Sequence, residues 1–192
     1  MIARGRGEEE LKPGLVLDAC QVINLYATRR MPEILRACGW RYTLSRFAAT
    51  TEVRWVGSGR VTDPGSDVER VDLSALVDEK LILIEEIEGD EEAEIFLKLA
   101  MEMDEGEAIA GAIAVARGML VGTDDHRAIQ VFTNRDPQLK IVTTPQLVHT
   151  WSELADVRGA SLRTVLDDIR TRARFVPRSS DPLATWWIEN LE

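Results

Sequence analysis

The sequence contains little cysteine and no long apolar run. Its two cysteines, Cys20 and Cys38, have no zinc-type spacing and fit a reducing compartment, so we expect no disulfide. No apolar run approaches the ~20 residues that a membrane-spanning helix needs. The first residues, MIARGRGEEELKPG, lack the apolar segment of a secretory signal. These absences predict a soluble, cytoplasmic chain without a membrane partner.

Several catalytic motifs are missing as well. The sequence contains no P-loop, no G-x-G-x-x-G motif and no Ser-His-Asp order. The two histidines are His126 and His149, and we assign a catalytic role to neither. Nucleotide-binding and triad-hydrolase classes are therefore not predicted.

The net charge of −10 is unevenly distributed. Residues 85–107 contain eleven acids and one lysine, so the rest of the chain is neutral overall. Residues 157–178 carry six arginines against two aspartates, which makes them either a solvated helix or a basic face. The six arginines are Arg158, Arg163, Arg170, Arg172, Arg174 and Arg178.

Short apolar runs alternate with segments of helical periodicity. The predicted strands are residues 15–17, 40–44, 81–84 (a buried LILI), 119–122 and 140–143. The predicted helices are residues 19–29, 32–39, 45–56, 91–103, 107–117 and 161–174, with two more beginning near His126 and Pro145. Residues 57–67, GSGRVTDPGSD, are predicted to be a loop.

This alternation predicts an α/β fold whose mostly parallel sheet of about five strands is covered on both faces. We expect one domain over residues 1–155 and a C-terminal helical extension over 156–192 packed on it. The extension ends in TWWIENL. Its Trp186 and Trp187 either pack on the chain itself or form a docking surface.

Acidic side chains stand where a parallel sheet would gather them. Asp18 and the pair Asp124–Asp125 directly follow predicted strands. Glu52 lies on the helix after the second strand, and Glu107 opens an alanine-rich helix. Ligands of such folds collect outside the carboxyl ends of the strands. Grouped carboxylates repel one another unless a divalent cation neutralises them, so the pattern predicts a metal-dependent enzyme.

Each acid also has a purely structural interpretation. Asp18 and Asp125 fit helix N-caps, Asp104 and Glu107 have capping-box spacing, and Glu52 fits an exposed helix position. Capping alone does not require four acids to converge on one end of a sheet.

In this order the acids resemble those of the PIN-domain family of metal-dependent nucleases, over about residues 14–150. The matching segments are DACQVINL from Asp18, TTEVRWV around Glu52, EAIA from Glu107, and TDD from Thr123. The chain looks most like the prokaryotic PIN-like ribonucleases, which are related to VapC-type toxins. The resemblance implies a Rossmann-like three-layer α/β/α domain.

The resemblance also implies hydrolysis of RNA phosphodiester bonds by metal-activated water. One or two Mg²⁺ or Mn²⁺ ions would be held by the acidic side chains. The implied catalytic and metal-binding residues are Asp18, Glu52, Glu107 and Asp125, with Asp124 as a further ligand. Thr123 would orient a carboxylate or the water through its hydroxyl. Arg46, Arg54 and Arg127 flank the acids and are either RNA contacts or solvated surface residues.

Three features depart from the family pattern. Cys20 stands where a serine or threonine is frequent, and a thiol is a poorer hydrogen-bond donor. Glu107 replaces the commoner aspartate and reaches one methylene further. Residues beyond about 155 exceed the usual small PIN domain.

Other functions stay open at this stage. The chain could be a toxin that a protein antitoxin holds inactive, or a non-catalytic PIN module that binds RNA or protein. A homodimer is a further partner that the resemblance allows. A haloacid-dehalogenase-like phosphohydrolase fits poorly, because Asp18-Ala19-Cys20 lacks the second aspartate of D-x-D.

Overall fold

The computed structural model describes residues 13–59 and 67–192. The N-terminal segment and most of the predicted loop at 57–67 lie outside the described residues. The strands are β1 Gly14–Leu17, β2 Arg41–Ser45, β3 Trp55–Gly57, β4 Val68–Arg70, β5 Ile82–Glu85, β6 Leu120–Gly122 and β7 Ile141–Val142. Five of them form a parallel sheet in the order β5-β2-β1-β6-β7, and β3 and β4 form a separate antiparallel pair.

Helices connect these strands. They are α1 Ala19–Ala27, α2 Met31–Cys38, α3 Ser74–Asp78, α4 Gly89–Leu99, α5 Glu105–Ala116, α6 His126–Arg135, α7 Thr144–Leu154, α8 Gly159–Asp168 and α9 Ala184–Leu191. Two further segments, Ala48–Glu52 and Ile169–Ala173, are single π-helical turns. None of the helices described is long and apolar enough to cross a membrane.

The central strand β1 is buried on both faces and separates two apolar cores. Leu15 and Leu17 pack with α1, α2, α7 and α8, whereas Val16 faces α4, α5 and α6. This alternation follows from the two-residue period of a strand. The predicted α/β fold with a five-stranded parallel sheet between helical layers is confirmed.

Two local predictions are wrong. The helix expected over 45–56 ends in the π turn at Glu52, and the chain then turns into β3, which pairs with β4. The pairing of β3 with β4 determines where the helical segment ends. Helical periodicity in the sequence does not report that pairing. The LILI segment is not a fully buried strand, because β5 is an edge strand in which only Ile82 is fully buried.

The C-terminal extension shares the core of the sheet. Leu162, Val165 and Leu166 of α8 lie in the same apolar cluster as Leu15 and Leu17. The predicted helix over 161–174 begins earlier, at Gly159, and gives way to a π turn after Asp168. The division of the chain at residue 155 stays a prediction.

The two tail tryptophans pack on the chain itself. Trp187 is fully buried, and its ring lies edge-on to Phe175 with centroids 5.9 Å apart. Trp186 lies edge-on to His149 at 4.8 Å. His149 is thus a packing partner.

The arginines of residues 157–178 do not form one free basic face. Arg172 is 3% exposed, and Arg158 pairs with Glu153 while Arg170 pairs with Asp167. The side chains of Arg163, Arg174 and Arg178 have no ion-pair or hydrogen-bond partner among residues 13–59 and 67–192. Only part of this segment is therefore free to bind an anion.

Candidate functional site

The register of the sheet brings Asp18 next to Thr123. Leu17 of β1 pairs with Gly122 of β6, so the residues that follow both strands leave the sheet side by side. The Asp18 amide donates to the Gly122 carbonyl at 2.8 Å, and the Thr123 hydroxyl donates to Asp18 Oδ2 at 3.0 Å. Two segments separated by a hundred residues thus form the centre of the site.

Asp18 is a buried carboxylate, 5% exposed. It caps α1 by accepting from Ala19 N at 2.6 Å, so its structural interpretation is correct as well. Burial raises its pKa, the bonds from Cys20, Thr123 and Ala19 oppose that rise, and the Asp125 charge adds to it. A buried carboxylate next to another acid favours either a proton or a cation.

The Cys20 thiol lies beside Asp18 and donates to Asp18 Oδ2 at 3.0 Å. Burial raises the pKa of the thiol well above its usual range, and the charges of Asp18 and Asp124 raise it further. Cys20 therefore keeps its proton at neutral pH and acts as a hydrogen-bond donor, as the serine or threonine of the family pattern would.

Glu52 reaches the site from the π turn that follows β2. Its carboxylate lies against the backbone of Gly106 in the first turn of α5, where an added Cβ would overlap both carboxylate oxygens. Glu52 Oε2 is buried and has no hydrogen-bond partner among the described residues. Burial raises the pKa of Glu52, and the charges of Asp18, Asp104 and Glu105 raise it further. Single π turns of this kind occur frequently at functional sites.

Glu107 joins the site from the first turn of α5. It completes the predicted capping box by accepting weakly from Asp104 N at 3.4 Å. Burial, followed by the charges of Asp18 and Asp125, raises the pKa of Glu107 to about 7. The carboxyl group is therefore poised to hold or release a proton near neutral pH.

Asp125 begins α6 and has the predicted N-cap role. Its Oδ1 accepts from Ala128 N at 2.9 Å, and its own amide donates to the Thr123 hydroxyl at 3.1 Å. Thr123 thus bridges two acids, because it accepts from Asp125 and donates to Asp18. Asp125 is exposed, so its other carboxylate oxygen, Oδ2, remains accessible.

Asp124 is hydrogen-bonded to α1 and α7. Its oxygens accept from Asn24 Nδ2 at 2.8 Å, from Thr144 N at 2.7 Å and from the Thr144 hydroxyl. Burial raises the pKa of Asp124 to about 6, although these hydrogen bonds lower it. This arrangement joins the end of β6 to two helices, so Asp124 has a structural role beside the predicted metal-binding one.

The five predicted acids therefore interact electrostatically. The charge of Asp18 raises the pKa of Glu52, Glu107 and Asp124, and that of Asp125 raises the pKa of Asp18 and Glu107. Within residues 13–59 and 67–192, however, no three His, Cys, Asp or Glu side chains form a ready-made metal site.

Comparisons with known proteins add no assignment. The chain matches no family model and no curated protein. The resemblance to PIN domains therefore rests on the motifs of the chain and stays a prediction.

Sequence reasoning missed three contributors to the site. Gly106 makes room for the Glu52 carboxylate, and its position directly before Glu107 was the available signal. Asn24 and Thr144 hold Asp124. Asn24 lies in the DACQVINL segment, but no local pattern connects Thr144 with Asp124 across 20 residues.

The flanking arginines differ in their surroundings. Arg46 pairs with Glu86 on the surface. Arg54 and Arg127 are exposed and have no ion-pair partner in the described part of the chain. Their contact with RNA stays a prediction.

The raised pKa of Glu107 makes stability depend on pH. Between the ordinary value of 4.5 and about 7, the folded chain holds a proton that the unfolded chain has lost. Raising the pH through this window therefore destabilises the fold, and Asp18 and Glu52 act in the same direction. We expect the free energy of unfolding, measured in EDTA, to fall less between about pH 5 and pH 8 in Glu107→Gln than in the wild type. Urea unfolding at both pH values measures this difference.

The matched control is Glu91→Gln, which removes the same charge from an exposed position of α4. It should retain the wild-type pH dependence. Glutamine serves as well as glutamate at the third helical position of a capping box, so the helix start should survive Glu107→Gln. If Glu107→Gln loses as much unfolding free energy between the two pH values as the wild type, the pKa of Glu107 is not raised in the folded chain.

Proposed function

We propose that this protein is a metal-dependent ribonuclease. The observation that carries the proposal is the placement of three acids from separate segments: Asp18 follows β1 of the parallel sheet, and the Glu52 carboxylate lies against Gly106, the neighbour of Glu107. The charge of Asp18 adds to burial in raising the pKa of both glutamates. Carboxylates whose pKa values are raised by burial and by neighbouring charges are typical of functional sites. RNA as the substrate follows from the resemblance to PIN domains, which adds the chemistry that the geometry alone leaves open.

The donor set fits Mg²⁺ or Mn²⁺. The converging side chains offer carboxylate oxygens, the ligands that these hard cations prefer. Glu52 Oε2 is buried and has no hydrogen-bond partner among the described residues, as expected of an oxygen that accepts a bond to a ligand. Mg²⁺ keeps several of its waters and is usually bound by only one or two carboxylates. A site that offers fewer than three protein ligands to one ion therefore suits it.

When bound, such an ion supplies an activated water as nucleophile and offsets negative charge on the phosphate. The residues of the chain arrange the site around that chemistry. Cys20 and Thr123 each donate a hydrogen bond to Asp18 Oδ2. Ala19 N, in the first turn of α1, donates to Asp18 Oδ1. Without a bound ion the pKa of Glu107 is about 7, raised mainly by burial, and a bound cation would favour its charged carboxylate form. Asp124 fixes the position of the strand end that carries Asp125.

The direct test is hydrolysis of a labelled single-stranded RNA by purified protein with Mn²⁺ and with excess EDTA. We expect cleavage with Mn²⁺ and none with EDTA. Equal cleavage in both conditions, or no cleavage with Mn²⁺ or Mg²⁺ of any single-stranded or structured RNA tried, would contradict the proposal.

One observation favours a second candidate, a non-catalytic module that binds RNA or protein. The described residues include no ready-made group of three metal-ligating side chains. Titration calorimetry separates the two candidates, because the nuclease requires Mn²⁺ binding and the module does not. A toxin held by an antitoxin would share the nuclease chemistry, and it stays a prediction.

Gly106 provides a further test of the site. In the first turn of a helix, Gly106→Ala should by itself stabilise by about 0.5–1 kcal/mol. The new Cβ would, however, displace the Glu52 carboxylate. We expect an unchanged or higher melting temperature with RNA cleavage reduced about tenfold to a hundredfold, since small misplacements of catalytic groups have effects of this size. Wild-type cleavage by this variant would show that Glu52 is not needed in that position.

A further inference from the structure

The C-terminal extension runs past the acidic cluster and borders two adjoining cavities. The first, of about 290 Å³, is lined by Cys20, Asp125 and Arg174 among others. The second, of about 430 Å³, lies between α6 and residues 175–182. Asp124 and Phe175 line both cavities, so the two adjoin, and together they are called the groove.

Two arginines of the extension project into this groove without partners in the described part of the chain. Arg174 lines the first cavity and Arg178 the second, and both are exposed. Neither guanidinium makes a hydrogen bond or ion pair with residues 13–59 or 67–192. By contrast, Arg158 and Arg170 of the same extension are paired. Unpaired guanidiniums beside an acidic site fit an anionic ligand that the acids alone would repel.

The backbone holds Arg174 in a strained conformation. Its φ of 57° lies in the left-handed region, which non-glycine residues rarely occupy. Its neighbours are fixed on both sides, because Arg172 is buried and Phe175 packs edge-on against Trp187. Arg174 is the C-cap of the π turn, where helical segments often end in this conformation, so these contacts fix where its side chain leaves the backbone.

The second cavity suits a flat, partly polar group. Ile129, Ile141 and Phe175 supply apolar walls, and His126 and Arg178 supply polar ones. Asp124 and Asp181 also line it, and Asp181 Oδ1 accepts from Leu183 N at 2.8 Å. Unpaired bases of RNA bind in such places, on apolar or aromatic walls with hydrogen-bonding groups at their edges.

We infer that this groove binds the single-stranded RNA substrate next to the cleavage site. Arg174 binds a backbone phosphate beside the acidic cluster, and the second cavity takes an adjacent base with Arg178 at its edge. The inference deepens the proposed function and rests on it. It gives the extension a role in substrate binding that lies outside the segment resembling PIN domains.

The test measures binding separately from cleavage. A fluorescein-labelled ten-nucleotide RNA is titrated by anisotropy with Asp18→Asn protein in Mg²⁺, alone and combined with Arg174→Gln or Arg178→Gln. The control is Arg163→Gln, an exposed arginine of α8 that lines neither cavity. Loss of one phosphate contact should lower the slope of log K against log salt by about 0.7 and weaken binding about fivefold at 0.1 M salt. Arg163→Gln should change neither quantity.

The outcomes separate the inference from the proposed function. An unchanged salt slope in Arg174→Gln, in a protein whose wild type cleaves RNA, overturns the inference and leaves the nuclease intact. A reduced slope in a protein that never cleaves RNA supports the groove and contradicts the nuclease. If an equal concentration of polyglutamate displaces the RNA, the protein binds polyglutamate as tightly as the RNA. That result would overturn the inference in favour of an acidic protein partner.

Discussion

Asp18→Asn will reduce Mn²⁺-dependent RNA cleavage more than a hundredfold. The acid lies at the centre of the cluster, since its charge acts on Glu52, Glu107 and Asp124. Losing one ligand from such a cluster removes several kcal/mol of transition-state stabilisation, and each ~1.4 kcal/mol is a factor of ten in rate. Single-turnover cleavage with saturating Mn²⁺ measures the loss.

The fold should survive this substitution. Asparagine is as good an N-cap as aspartate, so the bond from Ala19 N can persist. Removing a buried charge among acids offsets the loss of an acceptor oxygen for Cys20 and Thr123, so the metal-free variant should still fold. The matched control, Asp90→Asn, removes an exposed charge from the first turn of α4 and should cleave at the wild-type rate. If Asp18→Asn cleaves within threefold of that control, Asp18 is not a catalytic ligand.

Arg172→Ala should cause the largest loss of stability, about 2–5 kcal/mol. The buried guanidinium donates to the carbonyls of Ala27 and Gly57, the latter at 2.9 Å, and pairs with Glu69 at 2.7 Å. Truncation leaves two carbonyls without their donor and removes these bonds between the extension and the segments of α1 and β3. Urea unfolding followed by far-UV circular dichroism measures the change in free energy.

The control for this prediction is Arg170→Ala, two residues earlier in the same π turn. Arg170 pairs with Asp167 on the surface, and exposed pairs contribute about 0–1 kcal/mol. If both variants lose the same small free energy, Arg172 does not hold the extension to the domain. A second unfolding transition in the wild type would show that residues 156–192 unfold separately.

The sheet was predictable because its signals are local. The apolar run before Asp18 and the one before Thr123 each identify a strand, and parallel pairing then places both strand ends at one edge. The caps at Asp18 and Asp125 were predictable for the same reason, because N-cap chemistry depends on residues within one turn.

Other parts of the site depend on contacts between distant segments. The π turn ends at Glu52, and the chain then enters β3, which pairs with β4. Helical periodicity in the sequence does not report this pairing. The burial of Arg172 depends on carbonyls 115 and 145 residues away in sequence, so the arginine-rich segment gave no sign of it. The contact between Gly106 and Glu52 likewise requires the fold before it can be seen.

The proposed nuclease requires that the acids at the carboxyl edge of the sheet share a divalent cation. Anomalous diffraction from crystals soaked in Mn²⁺ locates such an ion without reference to activity. We expect a peak within ligand distance of Asp18 and bordered by Glu107 and Asp125, and its absence in Asp18→Asn crystals. A peak elsewhere, or none at millimolar Mn²⁺, would contradict the metal site and with it the proposed nuclease.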